Sequence, residues 1–216
     1  MNKKVTISEI IEENSPFFTA FLFFQIVALG LLFRYPKGEE IFFLDQYRHK
    51  FLDLFFRFAT LLGEAYTFVL AFFFLYVRAR PKAVLIPIVG CSCMLITYFS
   101  KHYLAHERPL AYFKNLHIFQ YLHPIADVEL ASGRTSFPSG HTLAAFALFS
   151  ILALLSENKR RNGLLFFALA FSVSMSRIYL IQHFLEDVLL GSIVGTALGL
   201  GVYFIFRNQK SSDIRV

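Results

Sequence analysis

Three short stretches of this sequence place cationic, hydroxyl and imidazole side chains at spacings that suit chemistry on an anion. They read KHYLAHERP (residues 101–109), PSGH (138–141) and SRIYLIQHFLED (176–187). Each stretch lies at one end of an apolar run, so a bundle of helices can bring all three together. Their residue types predict an anion-binding site in which histidines transfer protons or attack the bound group.

Lys101 and Arg108 form the first candidate pair. They lie seven residues apart and therefore share a face if one helix continues over both. Pro109 disfavours helical backbone at Arg108 and is expected to end that helix. Two cations on one face suit a doubly charged phosphate. The alternative is that both side chains extend to a membrane interface, and on these two residues alone that alternative is favoured.

Ser139, Gly140 and His141 stand directly before an apolar run, where a helix is expected to begin. Free amides and the helix dipole bind anions at a helix N-terminus, and glycine lets an oxyanion approach the backbone. The serine hydroxyl can cap the helix or donate to the ligand, and the histidine can protonate a leaving oxygen. The alternative is that Pro-Ser-Gly serves only as a turn and a cap.

His183 and Asp187 lie four residues apart, which places them on one face of a helix. A carboxylate bonded to one imidazole nitrogen fixes the tautomer and orients the other nitrogen towards its target. The alternative is a surface hydrogen bond at the start of a helix. Arg177 lies near the end of an apolar run, where an unpaired guanidinium is costly, so it is expected to have an anionic partner.

The elements that must position these clusters are apolar helices. The chain has 216 residues, of which 56% are hydrophobic, whereas soluble domains average about 45–50%. Six apolar runs predict transmembrane helices, the fourth and fifth with the help of flanking residues: 16–33, 58–77, 83–100, 142–156, 163–176 and 188–206. We predict an all-α integral membrane protein, a six-transmembrane-helix bundle that forms a single domain over residues 1–216.

Basic residues predict the orientation of this bundle. With six spans, both termini and the 78–82 and 157–162 loops lie on one side. Eleven of the 21 lysines and arginines occupy these short segments: Lys3, Lys4, Arg78, Arg80, Lys82, Lys159, Arg160, Arg161, Arg207, Lys210 and Arg215. The positive-inside rule places this side in the cytoplasm and the three clusters on the extracytoplasmic face of the inner membrane. This asymmetry explains half of the net charge of +6, and no nucleic-acid partner is predicted.

Two long outward connections and a glycine pattern complete the predicted architecture. Residues 34–57 mix aromatic and charged residues at helical spacing and predict an outward-facing amphipathic helix that runs into the second span. Residues 110–137 form a second connection that is long enough to be functional. Gly191, Gly195 and Gly199 recur every four residues, a pattern that lets two helices approach closely.

No metal or redox site is predicted. Cys91 and Cys93 lie two residues apart within the third span, so they face different sides of a helix and are expected to be packing residues. The remaining histidines show no ligand spacing such as HExxH.

In order and spacing, the three clusters resemble the signature of the type-2 phosphatidic acid phosphatase superfamily, which includes bacterial acid phosphatases and vanadium haloperoxidases. The matching pattern is Lys101-x6-Arg108-Pro109, then Pro138-Ser139-Gly140-His141, then Ser176-Arg177-x5-His183-x3-Asp187. All eleven specified positions match. The motifs cover residues 101–187, and the six-span plan extends the resemblance over nearly the whole chain.

The resemblance implies roles for these residues. His183 would attack phosphorus and form a phosphohistidine, and Asp187 would hold it in the attacking tautomer. His141 would protonate the departing lipid oxygen and then activate water. The phosphate oxygens would be bound by the remaining polar positions of the motifs: Lys101, Arg108, Ser139, Gly140 and Arg177. No metal or cofactor is implied.

The expected function is therefore a lipid phosphate phosphatase of a bacterial inner membrane, with undecaprenyl pyrophosphate, phosphatidylglycerol phosphate or lipid A phosphates as candidate substrates. No protein partner is predicted. One alternative is a phosphotransferase that passes the phosphoryl group to a hydroxyl acceptor. Another is a non-catalytic lipid-binding or transport protein, against which the His183–Asp187 pair argues. Glu64 could pair with a site cation, but neither Glu64 nor Glu186 is assigned a role.

Overall fold

Apolar runs and capping residues divide the chain into helices. The computed structural model describes residues 5–213, within which no β-strand occurs. Lys3, Lys4, Arg215 and the side chain of Lys210, four contributors to the predicted basic side, lie outside what it describes. The helices are α1 (Ile7–Glu13), α2 (Ser15–Arg34), α3 (Glu39–Asp45), α4 (Lys50–Leu61), α5 (Ala65–Ala83), α6 (Leu85–Leu104), α7 (Pro109–Asn115), α8 (Gly140–Leu155), α9 (Lys159–Tyr179) and α10 (Leu185–Asp213), with a 3₁₀ turn at Phe119–Tyr121. The all-α prediction is confirmed.

Several of these helices are long and apolar enough to cross a membrane. Four stretches of the described chain meet this description by length and composition: Ser15–Arg34, Leu85–Asn115, Lys159–Tyr179 and Leu185–Gln209. The bent pair α4–α5 meets it as a fifth when the two helices are taken together, and α8 is a shorter apolar helix. Each predicted span therefore has a helical counterpart, while the number that cross the membrane stays a prediction.

The second predicted span, residues 58–77, is not one straight helix. It is divided between α4 and α5, which are bent by 62° at the break. Gly63 lies in this break and packs so closely on the neighbouring helices that an added Cβ would lie 3.0 Å from Val173 Cγ1. Because glycine disfavours helix and has no side chain to separate the elements, the chain bends here and stays in contact with the bundle.

The predicted amphipathic helix over residues 34–57 is also divided. It forms α3 and α4, which are separated by a turn at residues 46–49. His49 begins the second helix because its Nδ1 accepts a hydrogen bond from the amide of Phe51 at 3.3 Å. Asp45 ends the first helix and pairs with Arg48 Nε at 2.5 Å across the turn. Local capping therefore outweighs the helical periodicity of the aromatic residues.

The core of the bundle is α8, which packs against α9 and α10. The glycines of α10 permit this packing. A Cβ added to Gly195 would lie 2.3 Å from the Leu143 carbonyl oxygen, and one added to Gly191 would lie 2.8 Å from the Ser139 carbonyl oxygen. The predicted close approach of glycine-bearing helices is confirmed. Because α8 and α10 run in the same direction, their N-termini lie side by side.

The opposite end of the bundle is held by Glu13. Its carboxylate accepts hydrogen bonds from Arg207 at 2.7 and 2.8 Å and pairs with Lys159. The hydrogen bond from Arg207, supported by the charge of Lys159, lowers the pKa of Glu13 to about 2, so it stays ionised at neutral pH. Lys159 follows the C-terminal end of α8, whereas Gly140 begins that helix. This basic cluster therefore lies at the end of α8 away from His141.

Gly195→Ala should loosen the bundle, because the new Cβ meets the α8 backbone, which cannot move aside as a flexible side chain would. We expect a loss of about 1–3 kcal/mol in unfolding free energy, the usual cost of overpacking, measured as a lower thermal midpoint in detergent. Gly201→Ala is the matched control, since nothing lies within 4 Å of its added Cβ on the same helix. Equal midpoints for the two variants would contradict the packing account.

Candidate active site

The three sequence clusters meet at the N-terminal ends of α8 and α10. The amide of Ser139 donates to the carbonyl oxygen of Asp187 at 3.0 Å, which joins the second cluster to the third. Arg108 Nη1 donates to the carbonyl oxygen of Gln182 at 3.2 Å, which joins the first to the third. A cavity of about 330 Å³ opens beside them, lined by Arg57, Thr60, Glu64, Asp127, Val128, Glu129, His141, Arg177, Leu180 and Gln182.

His183 and Asp187 form the predicted pair, although not on one helix face. α10 begins only at Leu185, so His183 lies in the preceding loop. Its Nδ1 atom is 3.2 Å from Asp187 Oδ2. The same carboxylate oxygen accepts the Phe184 amide at 2.9 Å, as a capping residue in the first turn does. Asp187 therefore fixes the start of α10 and the orientation of the imidazole together.

Burial sets the protonation state of His183. The residue is 2% exposed and Asp187 is fully buried. Burial lowers the pKa of His183 to about 4, and the nearby charges of Arg177 and Arg108 act in the same direction, while Asp187 opposes them. The imidazole is therefore neutral at neutral pH. With Nδ1 held by Asp187, Nε2 is the nitrogen with a free lone pair, as nucleophilic attack requires.

Ser136 is a member of this cluster that the sequence analysis missed. Its hydroxyl donates to Asp187 Oδ2 at 2.5 Å and lies 3.4 Å from His183 Nδ1. The residue is fully buried, and its amide bonds to the carbonyl oxygen of His106 at 3.0 Å. Ser136 therefore supports the carboxylate that orients His183. The sequence feature that could have indicated Ser136 is its position three residues before Ser139, in the same polar stretch.

At the start of α8, Ser139 is the N-cap and Gly140 is the first helical residue. The Ser139 side chain is fully buried, and its hydroxyl oxygen accepts the Thr142 amide at 3.5 Å. The capping alternative is thus observed. An accepting hydroxyl still has its own proton, so donation to a phosphate stays a prediction. A Cβ on Gly140 would lie 3.1 Å from Thr97 Cγ2, which shows how closely α8 begins against α6.

Lys101 and Arg108 do not share a helix, so the condition under which they would share a helix face is not met. α6 ends at Leu104 because Ala105 adopts a left-handed conformation with φ of 31°, and Arg108 instead caps α7. The Arg108 guanidinium is buried and donates through Nε to Thr135 Oγ1 at 3.1 Å. It therefore does not extend to an interface. Lys101 lies at the last turn of α6 and lines a groove together with Gly140 and His141.

Arg177 is expected from the sequence to have an anionic partner, and among the described residues no side chain supplies one within salt-bridge distance. Its Nη1 donates to Thr60 Oγ1 at 2.6 Å, whereas its buried Nε has no partner among the described residues. Within that part of the chain no carboxylate oxygen lies within 4.0 Å of the guanidinium. A buried, under-satisfied guanidinium at a cavity wall is chemically suited to bind an anion, and that role stays a prediction.

Glu64 is the second residue whose place the sequence did not predict. Its Oε1 atom lies 2.7 Å from His141 Nε2, so it pairs with the histidine rather than with a lysine or arginine. Glu64 is the one charged residue in the apolar run 58–77, and such a charge in a membrane segment was the available signal. Glu186 instead pairs with Lys37 at 2.5 Å.

The described side chains include no group of three or more His, Cys, Asp or Glu residues placed to hold a metal ion. The arrangement that is present can bind an anion through buried cations and helix amides, attack it with a neutral imidazole, and exchange protons through a second histidine.

Comparison with known proteins identifies the family. A family model of the PAP2 superfamily matches residues 54–211, about three quarters of the chain. The chain belongs to the PAP2 superfamily. The matched region contains every residue of the predicted site, and the resemblance found in the sequence is confirmed.

Two curated relatives are similar in sequence. Lipid A 4'-phosphatase of Porphyromonas gingivalis is 28% identical over 78% of this chain and 72% of its own length. Phosphatidylglycerophosphatase B of Bacillus subtilis is 34% identical, but the match covers only 33% of this chain and 37% of that protein.

Two solved structures share the fold. The crystal structure of LpxE from Aquifex aeolicus superimposes with a TM-score of 0.62 at 25% identity, covering 78% of this chain and 96% of that one. The crystal structure of a transmembrane PAP2-type phosphatidylglycerolphosphate phosphatase from Bacillus subtilis superimposes with a TM-score of 0.63 at 22% identity. The match covers 92% of this chain and 97% of that one. Together with the apolar helices, this likeness to membrane proteins of the superfamily makes the chain a multi-pass membrane protein.

Ser136→Ala should slow hydrolysis of a phosphate ester about ten- to a hundredfold in kcat, because it removes a charge-assisted hydrogen bond of about 1.5–3 kcal/mol from the carboxylate behind His183. Ser174→Ala is the matched control, since that serine is also fully buried but bonds only to the Ala170 carbonyl oxygen. An unchanged kcat for Ser136→Ala, with normal folding of both variants, would show that the hydroxyl does not support Asp187.

Proposed function

We propose that this protein is a lipid phosphate phosphatase that hydrolyses a phosphomonoester or pyrophosphate of a membrane lipid. The observation that carries the proposal is the buried, neutral His183, oriented by Asp187 and placed among guanidinium groups that include the under-satisfied Arg177. A site for binding alone needs the cations but not an oriented nucleophile. In this proposal the whole chain, residues 1–216, forms a single functional domain.

In the first half of the reaction, His183 Nε2 attacks phosphorus and the bond from phosphorus to the lipid oxygen breaks. His141 gives a proton to that oxygen as it leaves. The nonbridging oxygens are held by Lys101, Arg108 and Arg177, by the Ser139 hydroxyl and by the Gly140 amide at the N-terminus of α8.

In the second half, His141 takes a proton from a water molecule as the water oxygen bonds to phosphorus. The bond between phosphorus and His183 breaks, and its electron pair returns to Nε2. Inorganic phosphate leaves and both histidines regain their initial state. No metal takes part, because cationic side chains and helix amides supply the electrostatic stabilisation.

An apolar groove supports a lipid as the substrate. It has a volume of about 610 Å³ and runs between α5, α6 and α8. Lys101, Gly140 and His141 line its polar end, and Phe68, Ile86 and Met94 are among the residues that line the rest. A lipid tail fits the apolar part while the phosphate reaches His141. The candidate substrates are undecaprenyl pyrophosphate, phosphatidylglycerol phosphate and lipid A phosphates, and the names of the relatives are consistent with the last two.

The position of basic residues at one end of the bundle supports an extracytoplasmic site. The basic residues Lys159 and Arg207 gather at the end of the bundle opposite the site, and basic residues favour the cytoplasmic side. In this arrangement α4–α5 forms one bent span and α8 a short one, which gives six spans with both termini in the cytoplasm of an inner membrane. The exposed aromatic side chains of α4, Phe51, Phe55 and Phe58, lie at the outer interface.

The direct experiment measures phosphate release by purified protein from the three candidate lipid phosphates, with and without a chelator. The wild type is expected to hydrolyse at least one of them in the presence of the chelator. His183→Ala should lower the rate of phosphate release about 10⁴-fold or more, because it removes the nucleophile. His123→Ala is the control, since that histidine is exposed and pairs with Asp45 outside the site.

The same wild-type protein in sealed spheroplasts should release phosphate from an added, impermeant short-chain lipid phosphate, because its site faces outwards. Release only after the spheroplasts are permeabilised would reverse the assigned orientation. Equal activity of His183→Ala and the wild type would refute the proposed catalytic role.

A further inference from the structure

The bend between α4 and α5 brings a carboxylate to His141. Leu62, Gly63 and Glu64 form this bend, and Glu64 caps α5 in an extended conformation with φ of −90° and ψ of 162°. A Cβ on Gly63 would lie 3.1 Å from both the Cβ and the carbonyl oxygen of His141, so the bend touches the first turn of α8. The result is the 2.7 Å contact between Glu64 Oε1 and His141 Nε2.

This contact leaves one imidazole nitrogen of His141 unengaged. Nε2 is held by Glu64, and no hydrogen bond to Nδ1 is formed within the described part of the chain. The arrangement parallels that of His183, where Asp187 holds Nδ1 and Nε2 is left for chemistry. Each histidine of the site thus has its own carboxylate, bound to the opposite nitrogen of the ring.

We propose that Glu64 is the positioning residue of the acid–base histidine: its carboxylate holds Nε2–H of His141 and leaves Nδ1 as the nitrogen that gives and takes the proton. This inference rests on the proposed phosphatase function and extends it. It assigns a task to a charged residue that otherwise interrupts an apolar run.

The surrounding charges show why His141 needs a carboxylate. His141 lies among cations, because it lines one cavity together with Arg177 of α9 and a groove together with Lys101 of α6. The other charged residues of the cavity wall are Arg57, Asp127 and Glu129. Of the carboxylates in the described chain, Glu64 is the one within hydrogen-bond distance of the ring. It therefore stabilises the protonated form that must donate to the leaving group, as the carboxylate of a catalytic triad does.

The proton movements balance over the cycle. His141 begins protonated on both nitrogens. The Nδ1 proton passes to the lipid oxygen when the phosphorus–oxygen bond breaks, and the Nε2 proton stays directed at Glu64. In the second half Nδ1 takes a proton from the attacking water, which restores the imidazolium, and no proton is transferred to Glu64.

The test compares two substrates in the variants Glu64→Ala, Glu64→Gln and His141→Ala. A lipid phosphate loses an alkoxide that must be protonated, whereas nitrophenyl phosphate loses a phenolate that leaves unprotonated. The value of kcat/KM reports the first half-reaction. Glu64→Ala is expected to lower it about a hundredfold for the lipid phosphate, within the usual range for acid–base catalysis, and less than about threefold for nitrophenyl phosphate. Glu64→Gln keeps an acceptor oxygen without the charge, so its kcat/KM for the lipid phosphate should lie between those of Glu64→Ala and the wild type.

A double mutant makes the test specific to His141. If Glu64 acts through His141, adding Glu64→Ala to His141→Ala should cause no further loss in kcat/KM for the lipid phosphate. Glu64→Ala should also produce a burst of nitrophenol, because activation of water is slowed after the phosphoenzyme forms. Glu186→Gln is the charge-matched control, since its carboxylate lies at the same end of the bundle but pairs with Lys37.

A purely electrostatic role gives the opposite pattern. If Glu64 only offset the nearby cations, Glu64→Ala would strengthen binding of vanadate and change both substrates alike, and the proposal would be overturned. A further loss in the double mutant would overturn it as well. Failure of the phosphatase function itself is distinct, because the wild type would then release no phosphate and His141→Ala would differ from it with neither substrate.

Discussion

The close contact between α8 and α10 is the constraint on which the site depends. Only small residues let the two helices approach until the Ser139 amide reaches the Asp187 carbonyl oxygen at 3.0 Å. This approach places the N-terminus of α8, the proposed anion-binding site, beside the loop that carries His183. A wider separation would leave both elements intact but would move His183, the proposed nucleophile, away from the amides of α8. The packing of the bundle therefore also sets the geometry of the proposed site.

A second principle is the unequal distribution of carboxylates. Asp187 and Glu64 each contact a histidine, while Arg177 has no carboxylate within salt-bridge distance in the described residues. The imidazoles are therefore oriented by the protein, and the guanidinium stays available for the proposed phosphate ligand. If a carboxylate paired with Arg177, that carboxylate would compete with the substrate phosphate for the guanidinium. This arrangement is better suited to a site that reacts with a bound anion than to one that only binds it.

Much of this could be predicted from the sequence, because motif spacing and apolar periodicity are local signals. The helical class, the family and the glycine contact of α10 all followed from such patterns. The break at Gly63 did not, because an apolar run with Glu64 as its one charge does not reveal a bend that is stabilised by contacts with α8 and α9. The sequence left open whether one helix continues over Lys101 and Arg108. The helix ends before Ala105, whose left-handed backbone no residue preference indicates. Ser136 and Glu64 reach the site through tertiary contacts, which spacing along the chain does not encode.

The central claim is that His183 is the nucleophile, and the most direct test is to find the phosphoryl group. The protein is mixed with a radiolabelled phosphate ester, stopped within milliseconds by alkali, which preserves phosphohistidine, and digested for peptide mapping. The account predicts one labelled peptide that contains His183, with the label stable to base and lost in acid. Label on a peptide that contains His141 instead, or a rapid burst of product without any labelled histidine, would contradict it.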